Sequence, residues 1–474
     1  MGILRPKIQV LDVDHKTKIY SEAKEILETL GIFLENEDAK ELFKNEGISH
    51  EGSKFFIPSD LVEKCLKTVP NEIKLFDREG NEHITLTSDN VHFDPGSAAI
   101  LYFDETTGEI RNAVKEDFIR FSKVVEHLKY IEAQSTALIY QDVPKEAQDW
   151  HRLSIALTHC YKPVVTGTFR KESFSIMKEL LLSCRLSEDD LARKPLAIFD
   201  ACPSPPLKWS DLTTQSLIDA AASMIPSEFV SMPLAGANAP MSLIGSITQH
   251  CAECLAGVVI GQLVKTGAPL IWGGSPAILD MKQGTTPMGA IETMMINLGD
   301  VEMGKFLKMP THAYMGLSDS KVPDTQSGFE AGMGALLAGL AGVNMVSGAG
   351  MLDFESTQSI EKLIIDNEIV GMVKRLLRGV EDHGTPFASD ILKDYDETEE
   401  LLSHPSTLKL FRKELFMTGP VIDRLSRDMW KASGAKSARK RAKEQASELL
   451  GKGSLRPIDD TLVKELETVS SKNL

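Results

Sequence analysis

The run Leu270-Ile-Trp-Gly-Gly-Ser-Pro276 decides how the rest of the chain reads. Residues without a polar face end in a glycine pair and a proline, the pattern of a short strand buried on both sides and cut off by a loop. Helical spacing then runs from Met288 to Leu307, and a second short strand follows at His312-Ala-Tyr-Met315. Strand, loop, helix and strand make one unit of a parallel sheet covered by helices. Working outward in both directions, the same unit recurs. Strands are predicted at Val91–Phe93, Tyr130–Gln134, Val164–Gly167, Leu196–Phe199, Phe229–Met232, Leu270–Gly273, His312–Met315 and Val343–Val346. Helices are predicted over Ala147–Thr158, Ser173–Leu186, Leu212–Ala222, Ser242–Lys265, Met288–Leu307 and Gly328–Ala341. Eight units close into an α/β fold of the (β/α)8 TIM-barrel type. An open doubly wound sheet would want a glycine-rich turn directly after a strand. The nearest match, Gly332-Met-Gly334 with Gly339, has the wrong final spacing and lies within a predicted helix.

Three regions follow from this reading. Residues 1–89 form an N-terminal cap of helices and a hairpin (Lys74–Phe76 and His83–Leu86), 90–380 the barrel, and 381–474 a C-terminal helical extension. That extension carries helices at Trp430–Leu450 and Asp459–Val469. A net charge of −16 argues against nucleic acid or an anionic membrane as partner. The one basic cluster, Lys436, Arg439, Lys440, Arg441 and Lys443, reads as a solvated helix face. Six cysteines without a framework and an N-terminus without an apolar leader point to the cytoplasm. The longest apolar stretch, Ala331–Leu352, is broken by Asn344 and Ser347 and reads as a barrel helix running into a strand.

In a barrel, chemistry sits just beyond the C-terminal ends of the strands. The loops there are small, polar and acidic: Asp94-Pro-Gly-Ser97, Thr168-Phe-Arg170, Asp200 to Trp209, Leu234 to Pro240, Gly273 to Ala277, Gly316 to Gln326 and Gly348 to Glu355. They hold no paired-histidine metal set, no Gly-x-Ser-x-Gly elbow and no strand lysine placed for a Schiff base. Asp12-Val-Asp14-His15 lies in the cap, and His250-Cys251-x-x-Cys254 falls on an apolar helix, where buried structural cysteines are the simpler reading. Aromatic faces around an acidic floor suit a quaternary ammonium, which has no N–H to donate and is held by cation–π and Coulomb attraction. Ordinary aromatic packing in a barrel is the alternative.

Leu317-Ser-Asp-Ser-Lys-Val-Pro-Asp-Thr-Gln-Ser-Gly-Phe-Glu330, Gly348-Ala-Gly-Met-Leu-Asp353 and Ser359-Ile-Glu-Lys-Leu-Ile-Ile-Asp-Asn-Glu-Ile369 resemble the trimethylamine methyltransferase superfamily. The resemblance runs from the Glu22–Ile32 helix to Leu455-Arg-Pro457. It implies a barrel that moves an N-methyl group to Co(I) of a cognate corrinoid protein. The chain contains only the standard twenty residues, so it resembles the branch without pyrrolysine, whose members demethylate quaternary amines such as glycine betaine. A quaternary nitrogen already carries its charge and leaves as a neutral amine, so no general acid is required. On this resemblance Phe93, Phe169, Trp272, Tyr314 and Phe354 are candidates for an aromatic cage, with Asn238 beside them as a substrate-binding group. Asp319, Asp324, Gln326 and Asp353 are candidates for catalytic or orienting polar groups. The implied partners are a quaternary amine and the corrinoid protein, which carries the cobalamin; the barrel itself is expected to hold no tight cofactor and no metal, and to form a homo-oligomer. Arg170, Lys208, Lys282, Lys321 and His312 are the cations near the strand ends that could meet a betaine carboxylate. A metal-dependent hydrolase or lyase and a non-catalytic quaternary-ammonium binder are the alternatives.

Overall fold

In the computed structural model, which describes residues 5–96, 98–393 and 401–471, eight parallel strands form one sheet. We label them β1 (His92–Asp94), β2 (Gln134–Ser135), β3 (Val164–Thr166), β4 (Ala197–Ala201), β5 (Ser227–Phe229), β6 (Leu270–Gly274), β7 (Thr311–Tyr314) and β8 (Met345–Ser347). The order is β1-β8-β7-β6-β5-β4-β3-β2. Closure between β2 and β1 comes from the amides of Glu132 and Ala133, which both donate to the Phe93 carbonyl at 2.9 and 3.2 Å. Each strand is followed by a helix: α1 (Lys115–His127), α2 (Gln148–His159), α3 (Ser173–Ser183), α4 (Asp211–Ala222), α5 (Leu243–Val264), α6 (Ile291–Phe306), α7 (Thr325–Ala341) and α8 (Ile360–Leu377). The eight-unit barrel read from the sequence is the observed fold. Ser97 and residues 1–4, 394–400 and 472–474, which belong to that reading, lie outside the described residues.

Two-residue alternation along the strands stacks the interior in layers. Lowest are Ala133, Val165, Ile198, Ile271 and Met345, which pack with Ile73, Leu75, Ile84 and Leu86 of the antiparallel hairpin Ile73–Phe76/Glu82–Leu86. The hairpin plugs the N-terminal mouth of the barrel. Two residues further along the same strands come Gly167, Asp200, Gly273 and Ser347, joined by Asp94, Glu228 and His312. This middle layer is polar, and it is buried except at Gly167 and Asp200, which keep partial exposure on its upper side.

Several elements depart from the sequence reading. A four-stranded sheet, ordered Met351–Leu352, Thr357–Gln358, Leu101–Phe103 and Ile110–Asn112, ties the loop after β8 to the loop after β1. Its strands are too short to show an alternating pattern. The single helix expected over Trp430–Leu450 is two, Arg427–Ala432 and Ala438–Leu450, broken where Gly434 and Ala435 turn left-handed. The basic cluster on the second is not merely solvated. Arg439 pairs with Glu361 at 2.7 Å and stacks on Phe103, which pins the extension to the barrel, while Arg441 donates to the Val421 carbonyl within the extension itself. Helix α5 is, among the described residues, the one long and apolar enough to cross a membrane; 83% of its apolar window is buried against the barrel. His250 and Cys254 on that helix both meet the Gly273 carbonyl, at 3.0 and 3.5 Å, which is a packing role.

A Cβ on Gly273 would lie 2.7 Å from the His312 Cβ and 2.8 Å from the His312 carbonyl oxygen, neither of which can swing away. Gly273→Ala is therefore expected to cost about 1–3 kcal/mol through overpacking, read as a lower midpoint in urea unfolding, whereas Gly284→Ala on an open surface turn loses only what its φ of +69° imposes.

Candidate active site

Above the acidic layer, at the C-terminal ends of the strands, lies a cavity of about 390 Å³, within the usual range for small-molecule sites. Its walls are of three kinds. Aromatic faces come from Phe169, on the loop after β3, and Tyr314, at the end of β7. Carboxyl groups come from Asp200 at the end of β4 and Glu355 in the loop after β8. The guanidinium is that of Arg152, near the start of α2. Val230, Met232 and Leu212 supply apolar surface between them.

Arg152 is buried and held by its neighbours. Its Nη1 donates to the Thr136 carbonyl at 2.9 Å and its Nε to the Gln148 carbonyl at 3.3 Å, while Nη2 comes no closer than 3.8 Å to Asp149 Oδ1. The guanidinium carbon sits 4.7 Å from the centre of the Phe169 ring. The other oxygen of Asp149 accepts from the Phe169 backbone amide at 2.8 Å, which fixes the loop that carries the ring. Burial pulls the Arg152 pKa down while Asp149 opposes the shift, and the group stays a cation at any ordinary pH.

Glu355 is presented by an unusual turn. Strands Met351–Leu352 and Thr357–Gln358 pair antiparallel, and the residues joining them, Asp353, Phe354 and Glu355, all have positive φ (52°, 54° and 71°). Three consecutive non-glycine residues in that region store strain of the kind that accompanies functional sites. The carboxyl accepts from Ser275 Oγ at 3.1 Å, and is pushed by burial up to about 7. Asp94, in the layer below, is also raised to about 7 by burial, against the hydrogen bonds from Ser347 and the Gly96 amide.

The candidates drawn from the sequence divide sharply. Phe169 and Tyr314 line the cavity. Phe93 and Trp272 do not: they sit on the outward side of β1 and β6, Phe93 in the strand–helix layer and Trp272 with its indole N–H donating to the Asp300 carbonyl at 2.9 Å. Phe354 lies outside the cavity wall under the Lys321 ammonium, 3.7 Å from its ring centre. Asn238 closes its own turn by accepting from the Leu234 amide at 2.6 Å. None of the four polar candidates lines the cavity either. Asp319 is occupied by the Met288 and Gly289 amides at 2.8 and 2.9 Å, and is raised to about 6 by burial. Asp324 is the N-cap of α7 and takes the Ser327 amide at 3.0 Å, Gln326 donates to Glu330 at 2.9 Å, and Asp353 faces Lys321 at 3.4 Å. In the structure these side chains brace their own loops, with Glu330 as a hub that also accepts from Ser318 and the Asp319 amide. The Ser359–Ile369 motif is likewise structural, since Lys362 and the Gly350 amide both bond Asp366 and so anchor the loop that leads to Glu355. Among the candidate cations, Lys208 is paired to Glu35 and Lys321 to Asp353. The cation that the cavity does use, Arg152, escapes a strand-end reading because it lies inside a helix.

The model for trimethylamine methyltransferase (MTTB) matches residues 3–472. The chain belongs to the trimethylamine methyltransferase (MTTB) family. It is a methyltransferase. Similar relatives include trimethylamine methyltransferase MttB of Desulfitobacterium hafniense strain DCB-2, 27% identical over 95% of this chain and 91% of the relative. Another is glycine betaine methyltransferase of Desulfitobacterium hafniense strain Y51, 29% identical over 91% and 90%. Among solved structures, the monomethylamine methyltransferase MtmB of Methanosarcina barkeri superposes with a TM-score of 0.52 at 11% identity, covering 94% of this chain and 88% of that one, a likeness of fold. The superfamily membership implied by the sequence motifs stands.

Glu355 is neutral below about 7 and anionic above it, so it attracts a cation only on the alkaline side. Tetramethylammonium binding measured by calorimetry should therefore strengthen about three- to tenfold between about pH 6 and about pH 8. Glu355→Gln should flatten most of that rise.

Proposed function

We propose that this methyltransferase takes an N-methyl group from a betaine-type quaternary amine, such as glycine betaine, passes it to Co(I) of a separate corrinoid protein, and releases the tertiary amine. One observation carries the reading: a single cavity combines two aromatic faces and two carboxyl groups with a buried guanidinium. A quaternary ammonium presents only methyl groups to its surroundings and is held by π faces and Coulomb attraction. A carboxylate a few bonds away needs a planar donor, and Arg152 provides one whose Nη2 is held only by a long ion pair to Asp149 at 3.8 Å. The relative named glycine betaine methyltransferase supports the same class.

Among the described residues the cavity wall offers no activated nucleophile, which agrees with one that arrives on another protein. Reduced cobalt, when the partner brings it, supplies that nucleophile. What this chain contributes is position: Phe169 and Tyr314 hold the ammonium, Arg152 sets the carboxylate end, and the apolar wall of Val230, Met232 and Leu212 limits water. The tight-cofactor-free barrel, the corrinoid partner and the cytoplasmic setting all belong to this proposal. A metal-dependent hydrolase is the poorer reading. Among the described residues the compact donor set is Glu381, His383 and Glu414, on the C-terminal extension, and its carboxylates are engaged by Arg378 and Arg375.

Free Co(I) cobalamin offered with glycine betaine, proline betaine, carnitine, choline or trimethylamine is expected to be methylated with a carboxylated quaternary amine, one tertiary amine appearing per methylcobalamin. No methylation across the panel overturns the proposal. Ligand-dependent thermal stabilisation without turnover would identify a binding protein instead. Within an active panel, Arg152→Lys should raise KM for the carboxylated substrate at least about tenfold, with choline, which has no carboxylate, changing by about twofold or less. Equal effects on both would remove Arg152 from carboxylate recognition.

A further inference from the structure

Below the cavity lies a chain of titratable groups that methyl positioning does not use. Asp200 and Glu228 are directly paired in register across β4 and β5, and both point into the barrel. The negative charge of Asp200 is one of the causes that raise the Glu228 acid above its ordinary range, after burial. His312 on β7 places Nε2 3.5 Å from Glu228 Oε1 and 3.0 Å from Ser347 Oγ. The Ser347 hydroxyl donates to Asp94 Oδ2 at 2.7 Å, and Asp94 is paired in register with Ser347 across β1 and β8. Asp200, which faces the cavity, Glu228, His312, Ser347 and Asp94 thus lie in succession, with hydrogen bonds joining the last three and a 3.5 Å contact between Glu228 and His312.

Two glycines make room for it. At position 167 a Cβ would come within 3.4 Å of the Asp200 carboxyl, and at position 273 it would collide with His312. The charges facing Glu228 are Asp200 from β4 and Asp94 from β1, with His312 opposite from β7; Arg152 lies within electrostatic reach of Asp200. Two buried acids side by side resist carrying two charges while no ammonium is beside them, so in the resting site the pair keeps one proton. Burial and the neighbouring carboxylates push Glu228 well above the ordinary range, and burial holds His312 down at about 3, so the histidine is neutral.

We infer that the Asp200–Glu228 pair is a resident proton store that converts the product amine to its ammonium form, with Glu228 acting through Asp200. This role rests on the methyl-transfer reading proposed above. When the carbon–nitrogen bond breaks, its electron pair stays on nitrogen and the amine becomes neutral and basic. Its lone pair is also the nucleophile of the reverse reaction. The single proton moves from Glu228 to Asp200 and from Asp200 on to nitrogen: an N–H bond forms, the Glu228 O–H bond breaks, and the pair is left with two negative charges beside an ammonium. Departure of the ammonium leaves the doubly ionised pair to regain one proton from water through the open cavity. Glu228 does not line the cavity.

Glu228→Gln is nearly isosteric with the protonated acid and is the variant to test, with a melting curve to establish folding. In the wild type, the protonated-carboxyl infrared band at neutral pH should contain a component, beyond those of Asp94 and Glu355, that is lost in the variant. With glycine betaine and Co(I) cobalamin, the variant should lose multiple-turnover rate at least tenfold more than it loses first-turnover methyl transfer. Its deficit should shrink as the pH is lowered and protons become available from solution, and Glu228→Asp should recover part of the rate. Equal losses in first and later turnovers, a pH profile parallel to that of the wild type, or a variant infrared spectrum with no carboxyl component lost each overturn the proton store while leaving methyl transfer intact. A wild type inactive on every amine overturns the methyl-transfer reading itself, and this role with it.

Discussion

A parallel barrel turns every second strand residue into its interior, and in this chain that constraint sets an acidic layer directly on an apolar one. Ile198 and Asp200, or Met345 and Ser347, are separated by two residues and about 6.6 Å of strand. Below, the Ile73–Leu86 hairpin seals the barrel with aliphatic side chains. Above, the same layer of the barrel carries Asp94 and Glu228 out of reach of water and Asp200 to the floor of the cavity. Burying charge without partners is expensive, and the structure meets the cost mainly by keeping the carboxyls close to neutral. Asp94 sits near 7 and Glu228 well above the normal range, each chiefly through burial.

The fold was legible because it rests on a repeated pattern. Runs such as Leu270–Gly273 and Val164–Gly167 cannot be amphipathic, and a run apolar on both faces followed by a helix leaves few architectures. What escaped were elements with no period. The Leu101–Phe103 and Met351–Leu352 strands are two or three residues long and are held by their partners, not by their own pattern. Helix α7 begins at Thr325, three residues before the predicted start, because Asp324 caps it; a polar residue beside a strand end and a helix cap look the same in sequence.

The cavity was legible only in part, for a reason that applies to any strand-end reading. Adjacent residues of a strand face opposite sides, so the choice between Phe93 and Asp94, or between Trp272 and Gly273, depends on a register of one residue that composition does not reveal. Aromatic character favours Phe93 and Trp272. The barrel turns their small or polar neighbours inward instead. Tyr314 and Phe169 do reach the cavity because one ends a strand on its inner side and the other stands on a loop fixed by Asp149. Arg152 and Glu355 carry no such signal, for different reasons. One belongs to a helix, and the other to a left-handed turn, Asp353-Phe-Glu355, that contains no glycine or asparagine to announce it.

The charge of the cavity bears on how such a site could favour reaction over mere binding. Positive charge on nitrogen falls as the methyl group leaves, so a wall of permanent carboxylates would hold the reactant more tightly than the transition state. A carboxyl near 7 is a weaker trap. Glu355 is partly neutral at physiological pH, and the two aromatic rings attract the ammonium through a quadrupole field that is modest compared with a full charge. Recognition of the far end by Arg152 does not suffer the same conflict, since a substrate carboxylate keeps its charge throughout. Binding strength drawn from that end is available to position the methyl group without deepening the ground state at nitrogen, which is where the physics of this reaction can least tolerate it.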